Sequence, residues 1–258
     1  MAITIIEYAL IRRLRELGLV KPGGTLIEFG EANWYGDVSL ETLRADIKVF
    51  AGDQAGLLAA LDDIEATRPK FMDFDLAKIF YGCFLGHTSH TAVDLHGTKP
   101  ALKLNLNEPI AGLLEGRQFD CMFDFGTGEH VFDVRQFFAN AHDVTKPGGL
   151  MIHGLPWTGW IDHGFYNFQP TLFFDIAAAN GYTLHTVCYA VTNPFELESL
   201  NSRDAFATLV KSGRLAPNTM LYGVFSKAQA DAPFRIPMQG YYDGALTKAQ
   251  VTDWRTMR

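Results

Sequence analysis

The residues with chemical potential fall in short polar or glycine-bearing segments, each placed just after an apolar run. Five occur in chain order: Glu28-Phe-Gly30, Asp94-Leu95-His96-Gly97, Leu106-Asn107-Glu108, Asp124-Phe125-Gly126-Thr127 and His153-Gly-Leu-Pro156. A glycine straight after a strand lets the backbone approach a ligand closely, although a plain tight turn has the same composition. An acid that ends a second strand can accept hydrogen bonds from both hydroxyls of a ribose; the alternative for Asp94 is a turn or cap aspartate. Histidine ionises nearest neutrality, so His163 and His153 are the leading candidates for a general base that takes a hydroxyl proton, with His130 third. The plainer reading makes His153 a core histidine and His130 a helix-start residue. Asp94, His96, Glu129, His130, His153, Asp162 and His163 could also supply metal ligands, but neither HxH nor HExxH spacing occurs, and no metal site is expected.

Those segments need elements to hold them. Ile3, Ile6, Leu10, Leu14 and Leu17 recur every three to four residues, which predicts an amphipathic helix over 3–19. Thr25 to Phe29 predicts a buried strand, with a loop from Glu31 to Asp37. Residues 38–86 predict helix in at least two pieces, broken near Arg68-Pro69. Further strands are expected from His90 to Leu95, at the alternating run 101–106, over 119–125, over 150–153, and late in the chain at 182–191 and 219–226. Helices are expected over 129–145 and 170–180, with Asn180-Gly181 as a C-cap and Lys146-Pro147-Gly148-Gly149 as a sharp turn. Alternating strands and helices predict an open α/β sheet with helices on both faces, whose ligands bind beyond the carboxyl ends of the strands. From Trp157 to Phe174 there are seven aromatics, and the breakers within 157–169 make that stretch a loop suited to a substrate wall.

Composition removes several classes. The chain has 258 residues, enough for one large domain or two small ones with a full core. Apolar residues make up 48% and charged residues 20%, which excludes a disordered chain. The net charge is −7 and the 22 basic residues are scattered, so nucleic acid is not an expected partner. Cys83, Cys121 and Cys188 lie far apart in apolar runs, as in a reduced cytoplasmic protein. No run reaches about 18 apolar residues, so no membrane span is expected. The charges among the first twenty residues do not fit a signal peptide. No G-x-S-x-G string occurs, which disfavours a serine hydrolase.

Phe119-Asp120, then Glu129-His130-Val131, a helical stretch and Lys146-Pro147-Gly148-Gly149 before a strand resemble the second half of class I S-adenosylmethionine-dependent methyltransferases. The segment from Pro156 to Pro170 (PWTGWIDHGFYNFQP) resembles one branch of that family. The resemblance covers roughly residues 20–228. It implies a Rossmann-like doubly wound, mostly parallel sheet with a helical insertion at 38–86, one domain over 1–228, and a C-terminal tail over 229–258. It implies S-adenosylmethionine as cofactor and methyl transfer to a small molecule or sugar at a hydroxyl. By that resemblance the cofactor contacts are Glu28, Gly30, Asp94 with Leu95, Asn107 beside the adenine, and the Phe125-Gly126-Thr127 loop. Trp34, or Tyr35, would face the sulfonium.

Two departures stand out. Ala32 occupies the place of the first motif's second glycine, and 63 residues separate Gly30 from Asp94 where a dinucleotide fold has about 20. They motivate an alternative, a non-catalytic methyltransferase-like binding protein; a metal-dependent hydrolase is the third reading. The expected partner is a small-molecule substrate, and a homodimer would form through the tail or the insertion.

Overall fold

In the computed structural model, which describes residues 2–67 and 73–256, the elements alternate as the sequence predicts. Strand β1 (Ala2–Ile3) leads into helix α1 (Ile5–Glu16). Thr4 caps that helix by accepting from the Ile6 N–H, and Glu7 returns to the Thr4 N–H at 2.8 Å, a reciprocal cap that satisfies two otherwise orphaned donors. There follow β2 (Thr25–Phe29), β3 (Asn33–Trp34), α2 (Leu40–Phe50), α3 (Gln54–Thr67), α4 (Phe74–Leu85) and β4 (Ser89–Val93). Next come β5 (Phe119–Phe125), α5 (Val134–Val144), β6 (Thr145–Thr158) and α6 (Pro170–Asn180). The chain continues through β7 (Thr183–Val191), β8 (Glu196–Ser199), α7 (Arg203–Lys211), β9 (Thr219–Ser226) and α8 (Lys248–Thr256).

Seven strands form one sheet in the order β4-β2-β5-β6-β9-β7-β8, while β1 and β3 pair separately. β4, β2, β5 and β6 are mutually parallel. β9 runs antiparallel between β6 and β7, and β8 runs antiparallel to β7, so five of the seven strands share a direction. Side chains alternate across the strands and fill two cores. Leu26, Cys121, Phe123, Ile152 and Val224 pack under α1 to α4, whereas Ile27, Phe29, Met122, Met151 and Phe225 pack under α5, α6 and α7. This is a Rossmann-like doubly wound α/β sheet, mostly parallel, with helices on both faces. On the first face Tyr8, Trp34, Phe80 and Phe84 form an aromatic cluster. Each such buried side chain contributes about 1.5–3 kcal/mol. No helix among the described residues is long and apolar enough to cross a membrane.

The chain leaves β2, adds β4 on one side, then crosses back to add β5 on the other. The direction of winding therefore reverses between β2 and β5, which is where open sheets of this kind leave a crevice.

Several sequence expectations change. The run 101–106 makes one bridge, Val93 to Leu102, and no strand; the Asn105 side chain accepts from the Asn107 N–H at 3.1 Å and turns the chain. Lys146 to Gly149 is part of β6 rather than a turn between elements. The irregularity is absorbed as a register shift between Phe119 and Cys121, with Gly148 at φ +73°. β6 then runs on to Thr158, so Pro156 is paired within it, opposite Met220. The loop expected from Glu31 to Asp37 contains β3. The break near Arg68-Pro69 lies outside the described residues, and a separate break at 51–53 parts α2 from α3. The tail carries α8, fastened by a Tyr241–Trp254 stack at 4.0 Å and by Lys211 to Asp253 at 2.5 Å.

Candidate functional site

The ends of β2, β4 and β5 are bound to one another. Gly30 (φ +82°) and Gly126 (φ +90°) turn the chain off the sheet in a conformation that costs other residues energy. The Gly30 N–H donates to the Val93 carbonyl at 2.7 Å, and the Thr127 hydroxyl donates to the Phe29 carbonyl at 2.7 Å. Asp94 accepts the Glu31 N–H and the His96 N–H, each at 2.8 Å, one on each carboxylate oxygen. Glu31 in turn is buried and accepts the Thr98 hydroxyl at 2.7 Å and the Thr98 N–H at 2.5 Å.

Glu28 points to the other face, fully buried, with the Tyr81 hydroxyl at 2.8 Å, His90 Nε2 at 2.9 Å and the Ala32 N–H at 3.3 Å. Its oxygens are engaged, so it supports the loop after Gly30 from beneath. Burial, followed by the charge of Glu28, pushes the Tyr81 phenol well above its ordinary range, so Tyr81 is a permanent donor here.

Trp34 is a correction to the sequence reading. It is 1% exposed, edge-on to Tyr8 and beside Phe80, because pairing of β3 with β1 turns it into the core. Tyr35 is half-exposed instead, and Leu95 is also exposed. Asn107 accepts the Asp133 N–H at 2.9 Å and so ties its loop to the start of α5. The Phe125 ring is buried and stacked on Phe123 at 5.3 Å, so this residue presents backbone rather than a ring.

His153 is the second correction. The continuation of β6 places it in mid-strand, paired with Asp124 and Gly223, among Phe137, Phe138 and Phe225. Its Nδ1 lies 3.1 Å from Asp124 Oδ2. The other oxygen of Asp124 accepts the Thr127 N–H at 2.9 Å and the Gly128 N–H at 3.3 Å. The buried pair thus holds the Gly126 to Gly128 turn.

Glu129, His130 and His163 come together. Glu129 sits in a short helical turn (Gly128–His130) and is 1% exposed. The loop after β6 folds back onto it: the Phe165 N–H donates to the Glu129 carbonyl at 2.7 Å. At Gly164 a side chain would lie 2.9 Å from Glu129 Cγ, so only glycine permits this approach. Glu129 Oε1 is 3.7 Å from His163 Nε2 and 3.9 Å from His130 Nε2, while Oε2 is buried without a hydrogen-bond partner. Burial and then the charge of Asp124 push the Glu129 carboxyl up to about 8, so it is largely protonated at neutral pH. Burial and then His163 push His130 down. The two imidazoles meet edge to face at 4.9 Å, and Trp160 lies 5.2 Å from His163. Trp160 (φ +54°) and Asp162 (φ +60°) hold left-handed backbone, kept there partly by the Trp160 indole N–H on the Thr219 carbonyl at 3.1 Å. Phe132, Ile161 and Phe165 are exposed beside the histidines.

Sequence reasoning missed a further buried pair. The Tyr222 hydroxyl of β9 donates to Glu7 of α1, joining the sheet to the first helix. Burial pushes both groups up. A separate cavity of about 540 Å³ lies between α6, α7 and α8, lined by Trp157, Phe174, Arg203, Phe206 and Trp254. Its lining includes Asp204 and Asp253 but no glycine, and Arg203 in that lining is held by Asp175 at 2.5 Å.

No family model matches the sequence, and no curated protein is significantly similar to it. Among solved structures the chain is similar to a SAM-dependent methyltransferase from Archaeoglobus fulgidus: 13% identity over 85% of this chain and 93% of that one, TM-score 0.45. It is also similar to the 1,6-didemethyltoxoflavin-N1-methyltransferase of Burkholderia thailandensis, solved with 1,6-didemethyltoxoflavin and S-adenosylhomocysteine bound (14% identity, 86% and 78% coverage, TM-score 0.36). A third is the [4+2]-cyclase SpnF (10% identity, 86% and 81% coverage, TM-score 0.41). At these scores the likeness fixes no activity, and the residues of the site carry the reading that follows.

Proposed function

We propose that the chain binds S-adenosylmethionine across the ends of β2, β4 and β5 and transfers its methyl group to a hydroxyl of a small molecule or sugar. The observation that carries this is the meeting, at the winding reversal, of two left-handed glycines with the acid that ends the neighbouring strand. Each Asp94 oxygen accepts one backbone N–H and retains a further lone pair. A ribose diol would take those two. Leu95 and Asn107 would flank the adenine, and the Gly126-Thr127 backbone would lie along the cofactor. Tyr35 replaces Trp34 as the aromatic candidate for the sulfonium.

In the reaction the acceptor oxygen attacks the methyl carbon, the carbon–sulfur bond breaks, and S-adenosylhomocysteine leaves. The hydroxyl proton would go to His163 or His130, whose half-exposed rings meet beside Glu129. Phe132, Ile161 and Phe165 offer the acceptor an apolar wall. The buried free thiols fit a reducing, cytoplasmic setting.

One observation favours the second reading, a non-catalytic binding protein. The loop after β2 is filled by its own groups: the Ala32 N–H is spent on Glu28, and Glu31 packs within 2.9 Å of where a side chain on Gly97 would begin. Calorimetric titration with S-adenosylmethionine and S-adenosylhomocysteine separates the two. Micromolar binding that weakens in Asp94→Ala supports methyl transfer. Absence of binding by the folded protein supports the binding-protein reading.

A further inference from the structure

We infer that Glu129, His130 and His163 form a binding site for one divalent transition-metal ion of the zinc class. All three donor atoms lie within 4.8 Å of one another. A metal–ligand distance of about 2.0–2.2 Å places tetrahedral ligands roughly 3.4 Å apart. Glu129 Oε1 is 3.7 Å from one imidazole nitrogen and 3.9 Å from the other, so those two edges close with movements of a few tenths of an ångström, and the remaining edge, between the imidazoles, lies within 4.8 Å. The half-exposed imidazoles have room for that movement. The carboxylate is the fixed member, held by burial, by Gly164 against its Cγ and by the Phe165 N–H on its carbonyl.

The independent sign of a missing partner is the Glu129 carboxylate itself: Oε1 faces both imidazoles beyond hydrogen-bond distance, and Oε2 is buried with no hydrogen bond. A polar atom so placed costs free energy unless something satisfies it. The donor set selects the ion. Calcium and magnesium seek oxygen ligands, and two imidazoles with one carboxylate suit zinc, cobalt or iron(II). Three protein ligands leave one position open for water or a substrate oxygen. Resting on the methyl-transfer reading, an ion bound there would acidify an acceptor hydroxyl in the open position and so replace proton transfer to the free histidines. Metal binding itself requires no cofactor.

The test uses untagged full-length protein, stripped with a chelator and dialysed. Cobalt(II) is titrated in and its visible d–d absorption recorded, followed by competition with zinc(II). The expected result is one cobalt per chain with bands of a low-coordinate site, displaced by zinc. His130→Ala and His163→Ala change half-exposed rings and leave the fold, checked by circular dichroism, intact; each is expected to weaken cobalt binding at least about tenfold. His96→Ala, outside the cluster, leaves it unchanged. Failure to bind cobalt, or binding that both cluster variants leave intact, overturns the site. S-adenosylmethionine binding is measured on the same stripped protein, so failure of the metal site and failure of the cofactor reading are scored separately.

Discussion

Replacing Asp124 tests whether a buried carboxylate holds the turn at the end of β5. Its side chain is fully buried and receives three donors: the Thr127 and Gly128 N–H groups on one oxygen and His153 on the other. A hydrogen bond to a charged group is worth about 1.5–3 kcal/mol, and a buried donor left unpaired costs about 1–3 kcal/mol. Asp124→Ala strands all three donors. Because the losses share one network and do not simply add, the expected destabilisation is about 3–6 kcal/mol. Asp124→Asn keeps a carbonyl oxygen for the two backbone groups and offers its amide to His153, which can accept at Nδ1 as the other neutral tautomer. Its expected cost is about 1–2 kcal/mol. Urea unfolding followed by tryptophan fluorescence reads both from the midpoint at constant slope. Should the alanine variant fail to accumulate as folded protein, the asparagine value and that of His153→Ala, expected to lose about 1–3 kcal/mol, still test the network. Equal effects of alanine and asparagine, or losses under about 1 kcal/mol in both, would refute the reasoning.

Four further outcomes follow from the same contacts. Asp94→Ala is expected to weaken S-adenosylmethionine binding by about 1–3 kcal/mol in calorimetry. Gly126→Ala should cost about 1–2 kcal/mol of stability by thermal unfolding, because it forces a side chain to φ +90°. His163→Ala should slow methyl transfer by about 10²–10⁴-fold in a radiolabelled-methyl assay, while His153→Ala should act chiefly through stability. Asp120 joins the starts of β2 and β5; burial raises its carboxyl, but the bonds from Lys146 and Thr25 outweigh that and hold it below 3.8. Its stabilisation is therefore present above the unfolded value and lost as pH falls through the folded one. Since the pair is partly exposed, Asp120→Asn should cost no more than about 1 kcal/mol at pH 7 and leave a shallower acid limb in urea midpoints.

The strands that carry the site were legible because an apolar run ending in glycine or acid is a strong local signal: β2 at Gly30 and β5 at Gly126 show it. What decides orientation was not. Trp34 reads as a loop aromatic until Asn33-Trp34 pairs with Ala2-Ile3, residues too distant for any local pattern to connect. His153 and His163 are the same residue type ten positions apart, and only the unexpected length of β6 buries one and frees the other. That length was hidden by Pro147-Gly148-Gly149, which reads as a turn but is absorbed as an irregular stretch of strand. The Glu129–His130–His163 cluster depends on a loop folding back through Gly164, a contact with no spacing rule. α8 carries no buried residues, so apolar periodicity had nothing to report there.

The central claim is that the ligand lies where the winding reverses between β2 and β5. A crystal structure of the protein grown with S-adenosylhomocysteine tests it most directly. The account predicts density over Gly30 and Gly126 with the ribose hydroxyls on Asp94. Density instead in the cavity between α6, α7 and α8, or a well-ordered structure with no ligand at a concentration that saturates ordinary methyltransferases, would contradict it.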